Sequence, residues 1–393
     1  MCENKRESRV LVNLLKLVSV VAVGISLILS LMLDLNRPER LPGGESTLLK
    51  TIRMVVPQEE VVQHEEKFSV SPVQVHGGKL METVRELHEA GIIPARLPSI
   101  FGNKRIADIP SVATFAGLHN LMQACAEVGY TSVMFEVSPK SLFAQAQKRD
   151  ANAVADALFM TICTSYLISD ISKSLYFEGG TADCTRYQIS WINTDFAHMS
   201  EAVESMLRVV NRGVAQNSEW EPLWLRLNAE EIFALGKALN ILRNAGIHRN
   251  DDDLLRARKL HDALIPLVTY HEVNNPRSVF YRNRNKFVIY AMDGNAICEG
   301  YAQAYGFLLR LAGVQSQLIC GLVHDEQGKL LNAHAWNLVK VGEKDWRHVD
   351  VTWDDHGDRA VADFFMRTDS EMKSRAAGFR AWEDKTFMHL TNK

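Results

Sequence analysis

The chain has 393 residues, 47% of them hydrophobic and 23% charged, with a formal net charge of −3. This is ordinary globular composition, long enough for two domains or one large one. A charge balance so close to neutral gives no electrostatic case for a nucleic-acid partner.

The first element is an uncharged, almost wholly apolar run over residues 17–33, at the lower limit for a membrane-spanning helix. Lys5, Arg6, Arg9 and Lys16 precede it, whereas Arg37 and Arg40 follow mixed with Asp34 and Glu39. The positive-inside bias predicts a single-pass anchor over residues 1–35, with the N-terminus cytoplasmic and the bulk of the chain extracytoplasmic. The competing reading is a cleaved signal peptide. Against it, the run is long for such a segment and no small-x-small site follows.

Residues 36–75 are polar and mixed and read as a linker. Residues 76–250 read as an N-terminal α/β region. Its predicted helices cover 80–90, 111–128, 150–169, 200–211 and 229–245, the first two stopped by Gly91 and Gly129. Its predicted strands cover 131–137 and 185–193, the second alternating Tyr187, Ile189 and Trp191 with Arg186, Gln188 and Ser190.

From 251 to 393 the pattern predicts a second unit. A helix over 251–269 leads to a turn at 274–277. The stretch 277–286 carries Arg277, Arg282, Arg284 and Lys286, which is either a solvated loop or a surface for an acidic substrate. A helix over 297–312 follows, ended by Gly313. Strands over 315–323, 333–341 and 346–352 come next, the last two joined by a short hairpin at Gly342, Glu343 and Lys344. One helix followed by consecutive strands implies an α+β unit, a helix packed on an antiparallel sheet.

The six cysteines are Cys2, Cys125, Cys163, Cys184, Cys298 and Cys320. They form no CxxC pair or zinc spacing, and no dense carboxylate loop suits calcium, so neither metal nor cofactor is expected. Cys298 stands apart. It falls in the first turn of a predicted helix, where partial positive charge and free N–H donors favour an activated sulfur. His334 lies on a later strand and Asp350 on the strand after it. With Val341 opposite Asp345 in the hairpin, His334 and Asp350 fall on one face as diagonal neighbours, within reach of each other. A cysteine at a helix start, or a histidine in an apolar strand, is on its own usually structural. The ordered set of three instead points to a thiol nucleophile, an imidazole and an orienting carboxylate. The Cys298 N–H is a candidate oxyanion donor.

Cys298-Glu299-Gly300-Tyr301-Ala302, Ala333-His334-Ala335-Trp336-Asn337 and His348-Val349-Asp350-Val351-Thr352-Trp353 together resemble the core of the transglutaminase-like superfamily, in its bacterial membrane-anchored branch. Residues 260–264 and 364–372 are similar to flanking segments of that family, so the resemblance covers about 255–375. It implies a papain-like α+β fold with Cys298, His334 and Asp350 as the triad. Glu299 stands where animal crosslinking enzymes carry Trp, which argues against protein crosslinking and calcium dependence.

The expected function is an extracytoplasmic thiol enzyme that cleaves or transfers an amide-linked acyl group on surface peptides or proteins. Its expected partners are that substrate and, through the N-terminal helix, the membrane. The alternative is a catalytically silent surface module that binds peptides or a cell-envelope partner. Tyr301, Trp336 and Trp353 are candidate subsite walls, with core packing the competing role. Glu299 either orients the site or faces solvent. His348 shares strand parity with Asp350, and Asp354 and Asp355 read as turn residues.

Overall fold

The structure is a computed structural model that describes residues 77–99, 110–149, 158, 161–180, 183–212, 226–271, 283–324, 330–357, 360–374 and 379–382. The expected anchor, the linker, the 274–277 turn, Arg277 and Arg282 lie outside these. Among the described residues no helix is long and apolar enough to cross a membrane.

The first half places helices α1 (Gly77–Glu89), α2 (Phe115–Glu127) and α3 (Leu142–Arg149) around strands β1 (Ser132–Val137), β2 (Ile168–Gly180) and β3 (Thr185–Asn193). The strands form one sheet in the order β1-β3-β2, and both pairings are antiparallel. The region is therefore α+β in character, not the alternating α/β arrangement expected. Helices α4 (Asp195–Arg212) and α5 (Ala229–Asn244) follow. Local chemistry sets the starts of these helices. Thr114 caps α2 by accepting from Gly117 N, and Asn228 and Glu231 close a reciprocal capping box on α5.

The helix expected over 150–169 does not run to its predicted end, because the chain turns at Ser165 and β2 begins at Ile168. Ser165 Oγ accepts from the N–H groups of both Leu167 and Ile168 at 2.9 Å and donates to Gln123 Oε1 at 2.6 Å. A hydroxyl that satisfies two backbone donors outside a helix competes with helix continuation.

In the second half α6 (Asp253–Leu264) ends well before residue 269. Pro266 forces a 3-10 turn over Ile265–Leu267, and the chain becomes β4 (Thr269–Tyr270). Helix α7 (Phe287–Met292) leads through Gly294, at φ 97°, into β5 (Asn295–Ala296), which pairs parallel with β4. Then come α8 (Cys298–Leu311), β6 (Ser316–His324), β7 (Leu330–Val341), β8 (Asp345–Val349), α9 (Val351–Asp354), α10 (Asp369–Ser374) and β9 (Phe379–Trp382). The second sheet is antiparallel in the order β8-β7-β6-β9. Val341 pairs with Asp345 in the expected register, and Gly342 makes the turn at φ 74°.

Both faces of this sheet are covered. Leu318, Cys320, Ala335, Val339 and Val349 join α8 in one buried apolar cluster that runs back to Leu80 in α1. On the opposite face Ile319, Trp336 and Leu338 pack with Phe364 and Met372. Polar ties cross between the halves. The Tyr166 ring stacks on Phe196 at 4.9 Å, and its hydroxyl accepts from Asn337 Nδ2 at 2.6 Å. Arg310 in α8 pairs with Glu127 in α2 at 2.9 Å. Arg256 donates to the carbonyls of Gly91, Ile92 and Ala312. A planar guanidinium holding two chain turns at once, at 91–92 and at 312, fixes the first half against the end of α8.

Candidate active site

Cys298 is the first residue of α8. Its N-cap, Ile297, has extended geometry and no side chain that can cap. The Ile297 side chain therefore gives the first N–H groups of α8 no cap. Glu299, in the same first turn, is buried and not solvent-facing.

His334 enters from β7, and its Nε2 lies 2.8 Å from Asp350 Oδ2. That leaves Nδ1 as the ring nitrogen open to the thiol, and the Cys298 side chain hydrogen-bonds to this imidazole. The structure thus brings all three expected residues together. They are enclosed, with Cys298 4%, His334 3% and Asp350 0% exposed. Burial alone would push the imidazole towards its neutral form. The charge and hydrogen bond of Asp350, with the sulfur, outweigh it and raise its pKa to about 9. His334 is an imidazolium at neutral pH.

One placement differs from expectation. β8 stops at Val349, so Asp350 is not a strand residue. It has φ −120° and ψ 85° and caps α9, Oδ1 accepting from Trp353 N at 3.3 Å. The meeting with His334 survives the turn, because the carboxylate gives one oxygen to each partner.

The aromatic candidates separate. Trp336 is 1% exposed and stacks beneath His334, ring centroids 6.0 Å apart and planes 20° apart. Tyr301 is fully buried; its hydroxyl lies 2.9 Å from the Val268 carbonyl and 2.6 Å from Asp355 Oδ2. Trp353 keeps part of its surface exposed and meets His334 edge-on at 6.0 Å.

Three residues carry more than the sequence reading gave them. Asp354, expected in a simple turn, is wholly buried, bonded to His261 Nε2 at 3.1 Å and to the Phe364 N–H at 2.8 Å. Asp355 holds Tyr301. His348 is buried, with Trp336 Nε1 donating to its Nδ1 at 2.8 Å and Asp369 Oδ1 3.0 Å from its Nε2. The parity of His348 with Asp350 was visible in sequence, but its partners come from 336 and 369. Among the described residues no three His, Cys, Asp or Glu side chains converge to hold a metal ion.

A helix that starts at a cysteine packs on an antiparallel sheet that supplies a histidine bound to an aspartate, an arrangement compatible with thiol chemistry. Residues 243–351 match the model of the transglutaminase-like superfamily, a span that holds Cys298, His334 and Asp350. The chain therefore carries a transglutaminase-like core, of a family whose members are typically cysteine-dependent enzymes. Among solved structures, a chain titled "Crystal structure of a TGase" aligns at 12% identity over 62% of this chain and 59% of its own length, with a TM-score of 0.26. The alignment thus spans less than two thirds of that structure. A comparison with curated proteins returns no match.

Proposed function

We propose that this protein is a thiol-dependent enzyme that breaks an amide bond and passes the acyl group to water or to an amine. The observation that carries the reading is the His334 imidazole held by Asp350 on one nitrogen and hydrogen-bonded to the Cys298 side chain. The Cys298 thiolate adds to the amide carbonyl, and the Cys298 N–H at the head of α8 faces the developing oxyanion. The C–N bond breaks as imidazolium His334 gives its proton to the leaving amine, leaving a thioester on Cys298. Water or an amine then attacks the thioester, His334 takes the incoming proton, and the thiolate returns. Asp350 keeps the imidazole oriented and balances its charge throughout.

Trp353, beside His334 and partly exposed, is the wall the acyl chain meets. The apolar N-terminal run and its flanking charges support an anchored, extracytoplasmic placement, and hence a peptide or protein substrate at the cell surface. Incubating wild-type and Cys298→Ala protein with surface peptides and proteins, then searching for a thioester-linked fragment by mass, tests the reading. A fragment on wild type alone supports it; none on either protein overturns it.

The enclosure of the three residues favours a second reading, a binding module whose sulfur is not used. Site-resolved alkylation with iodoacetamide separates the two. Reaction at Cys298 that depends on His334 supports the enzyme, and an inert Cys298 supports the module.

A further inference from the structure

We infer that His348, held by Asp369, is a positioning residue that sets the orientation of His334 through Trp336. The inference rests on the proposed role of Cys298 and His334 and deepens it. An indole nitrogen can only donate, so the 2.8 Å contact makes His348 Nδ1 the acceptor for Trp336 Nε1–H. The ring proton of His348 is then on Nε2, where Asp369 Oδ1 accepts it at 3.0 Å. His348 is thereby fixed in one neutral tautomer. Adding a second proton would set two N–H groups against each other at Trp336.

The fixed indole is the surface on which His334 lies. The two rings are within 20° of parallel, and the Trp353 edge closes another side of the imidazole. Ring stacking sets the tilt of His334, while the bond to Asp350 sets its in-plane direction. Both are needed to aim Nδ1 at the sulfur.

The chain segment that supplies Asp369 is itself anchored to β8. His348 and Arg367 exchange backbone hydrogen bonds at 2.8 and 2.9 Å, and Thr368 and Glu371 cap the start of α10 reciprocally. Asp369 is therefore presented to His348 from a closed turn. The sequence Asp369–His348–Trp336–His334 is a continuous physical path whose last member bonds to the Cys298 side chain.

The test uses the full chain and reads iodoacetamide alkylation of Cys298 at pH 7 by peptide mass, beside the melting temperature. His334→Ala gives the reference for a lost imidazole. His348→Leu, which accepts nothing from Trp336, is expected to alkylate several-fold more slowly than wild type. His348→Asn places an acceptor oxygen where Nδ1 was and is expected to restore most of that rate. Slowing in His334→Ala with a wild-type rate in His348→Leu overturns the positioning role alone. Equal slowing in the Leu and Asn variants, following equal losses in melting temperature, also overturns it. An unchanged rate in His334→Ala overturns the proposed function and this inference with it. Should His348→Leu fail to fold, Trp336→Phe decides, because it keeps a ring under His334 but removes the N–H. A slowed Phe variant supports the path, and a wild-type rate overturns it.

Discussion

Asp350 holds His334 with one carboxylate oxygen and starts a helix with the other. Oδ2 lies 2.8 Å from His334 Nε2, while Oδ1 accepts from Trp353 N at 3.3 Å. The rotamer that caps α9 is thus the rotamer that orients the imidazole. The Asp350 N–H, bonded to the Phe364 carbonyl at 3.1 Å, fixes the backbone beneath both.

This double use predicts that Asp350→Asn separates folding from chemistry. Asparagine caps helices as well as aspartate does, so α9 keeps its start. The charge that supports the imidazolium is lost. Turnover of an amide substrate is expected to fall about a thousandfold or more, as when a triad carboxylate becomes an amide. The melting temperature should change far less. Steady-state kinetics beside a thermal melt checks this, and an Asn variant with near-wild-type turnover would remove Asp350 from the mechanism.

The pH dependence follows from His334. Its folded pKa, about 9, is above the ordinary 6.5. The pairing that raises it contributes stability that is fully present below pH 6.5. That contribution is lost as pH rises through about 9, and over the whole window it is worth about 3 kcal/mol. Thioester formation needs the imidazolium, so the alkaline limb of the rate profile should fall near pH 9. In Asp350→Asn burial acts with the carboxylate's charge removed, and the limb should move down towards or below 6.5. An NMR titration of His334 in both proteins reads the same shift without a substrate.

Much of this centre was legible in sequence because it rests on short-range rules. A hairpin of fixed loop length sets a register, and the register put His334 and Asp350 on one face; Val341 does pair with Asp345. A helix start after Gly294 was equally visible. What sequence could not give is where non-local partners come from. Asp350 leaves the strand because its side chain bonds forward to Trp353, and nothing in alternation signals that. Asp354 reads as a turn residue until His261, remote in sequence, arrives beside it. The helix expected over 150–169 ends early because Ser165 bonds to Gln123 and to two backbone donors, and the first of these partners is remote in sequence.

Gly306 tests how closely the two halves are fitted. It lies in α8 with the buried Tyr166 ring against it; a Cβ built there would come 2.5 Å from Tyr166 Cζ. Tyr166 has no easy retreat, being stacked on Phe196 and bonded through its hydroxyl to Asn337. Gly306→Ala gains roughly 1 kcal/mol of helix propensity. Overpacking at a rigid ring costs roughly 1–3 kcal/mol or more. The variant should therefore be destabilised on balance, and a denaturant melt with unchanged m-value would report it. A stabilised Gly306→Ala would mean that Tyr166 can move freely.

Asp195 predicts a second, separate pH effect on stability. It opens α4, is 2% exposed, and reaches across to α7, Oδ2 accepting from Ile289 N at 2.7 Å while Oδ1 accepts from Phe196 N at 2.8 Å. Burial raises its pKa from 3.8 to about 7, with nearby Glu231 adding to the rise; the two backbone donors and His198 oppose it. The sign is the reverse of the usual carboxylate case. Below pH 3.8 the group is protonated in both states and contributes nothing. As pH climbs towards 7 the unfolded chain ionises freely and the folded one resists, so stability drains away and the full penalty is present above 7. Asp195→Asn cannot ionise and so removes this slope, at the cost of one acceptor for a backbone N–H. His198, whose own pKa is raised mainly by its hydrogen bond to Glu231, adds a loss of stability with rising pH that both proteins retain. Wild type should therefore lose more melting temperature than Asp195→Asn between pH 5 and pH 8. Parallel curves for the two proteins would show that Asp195 ionises in the folded state as readily as in water.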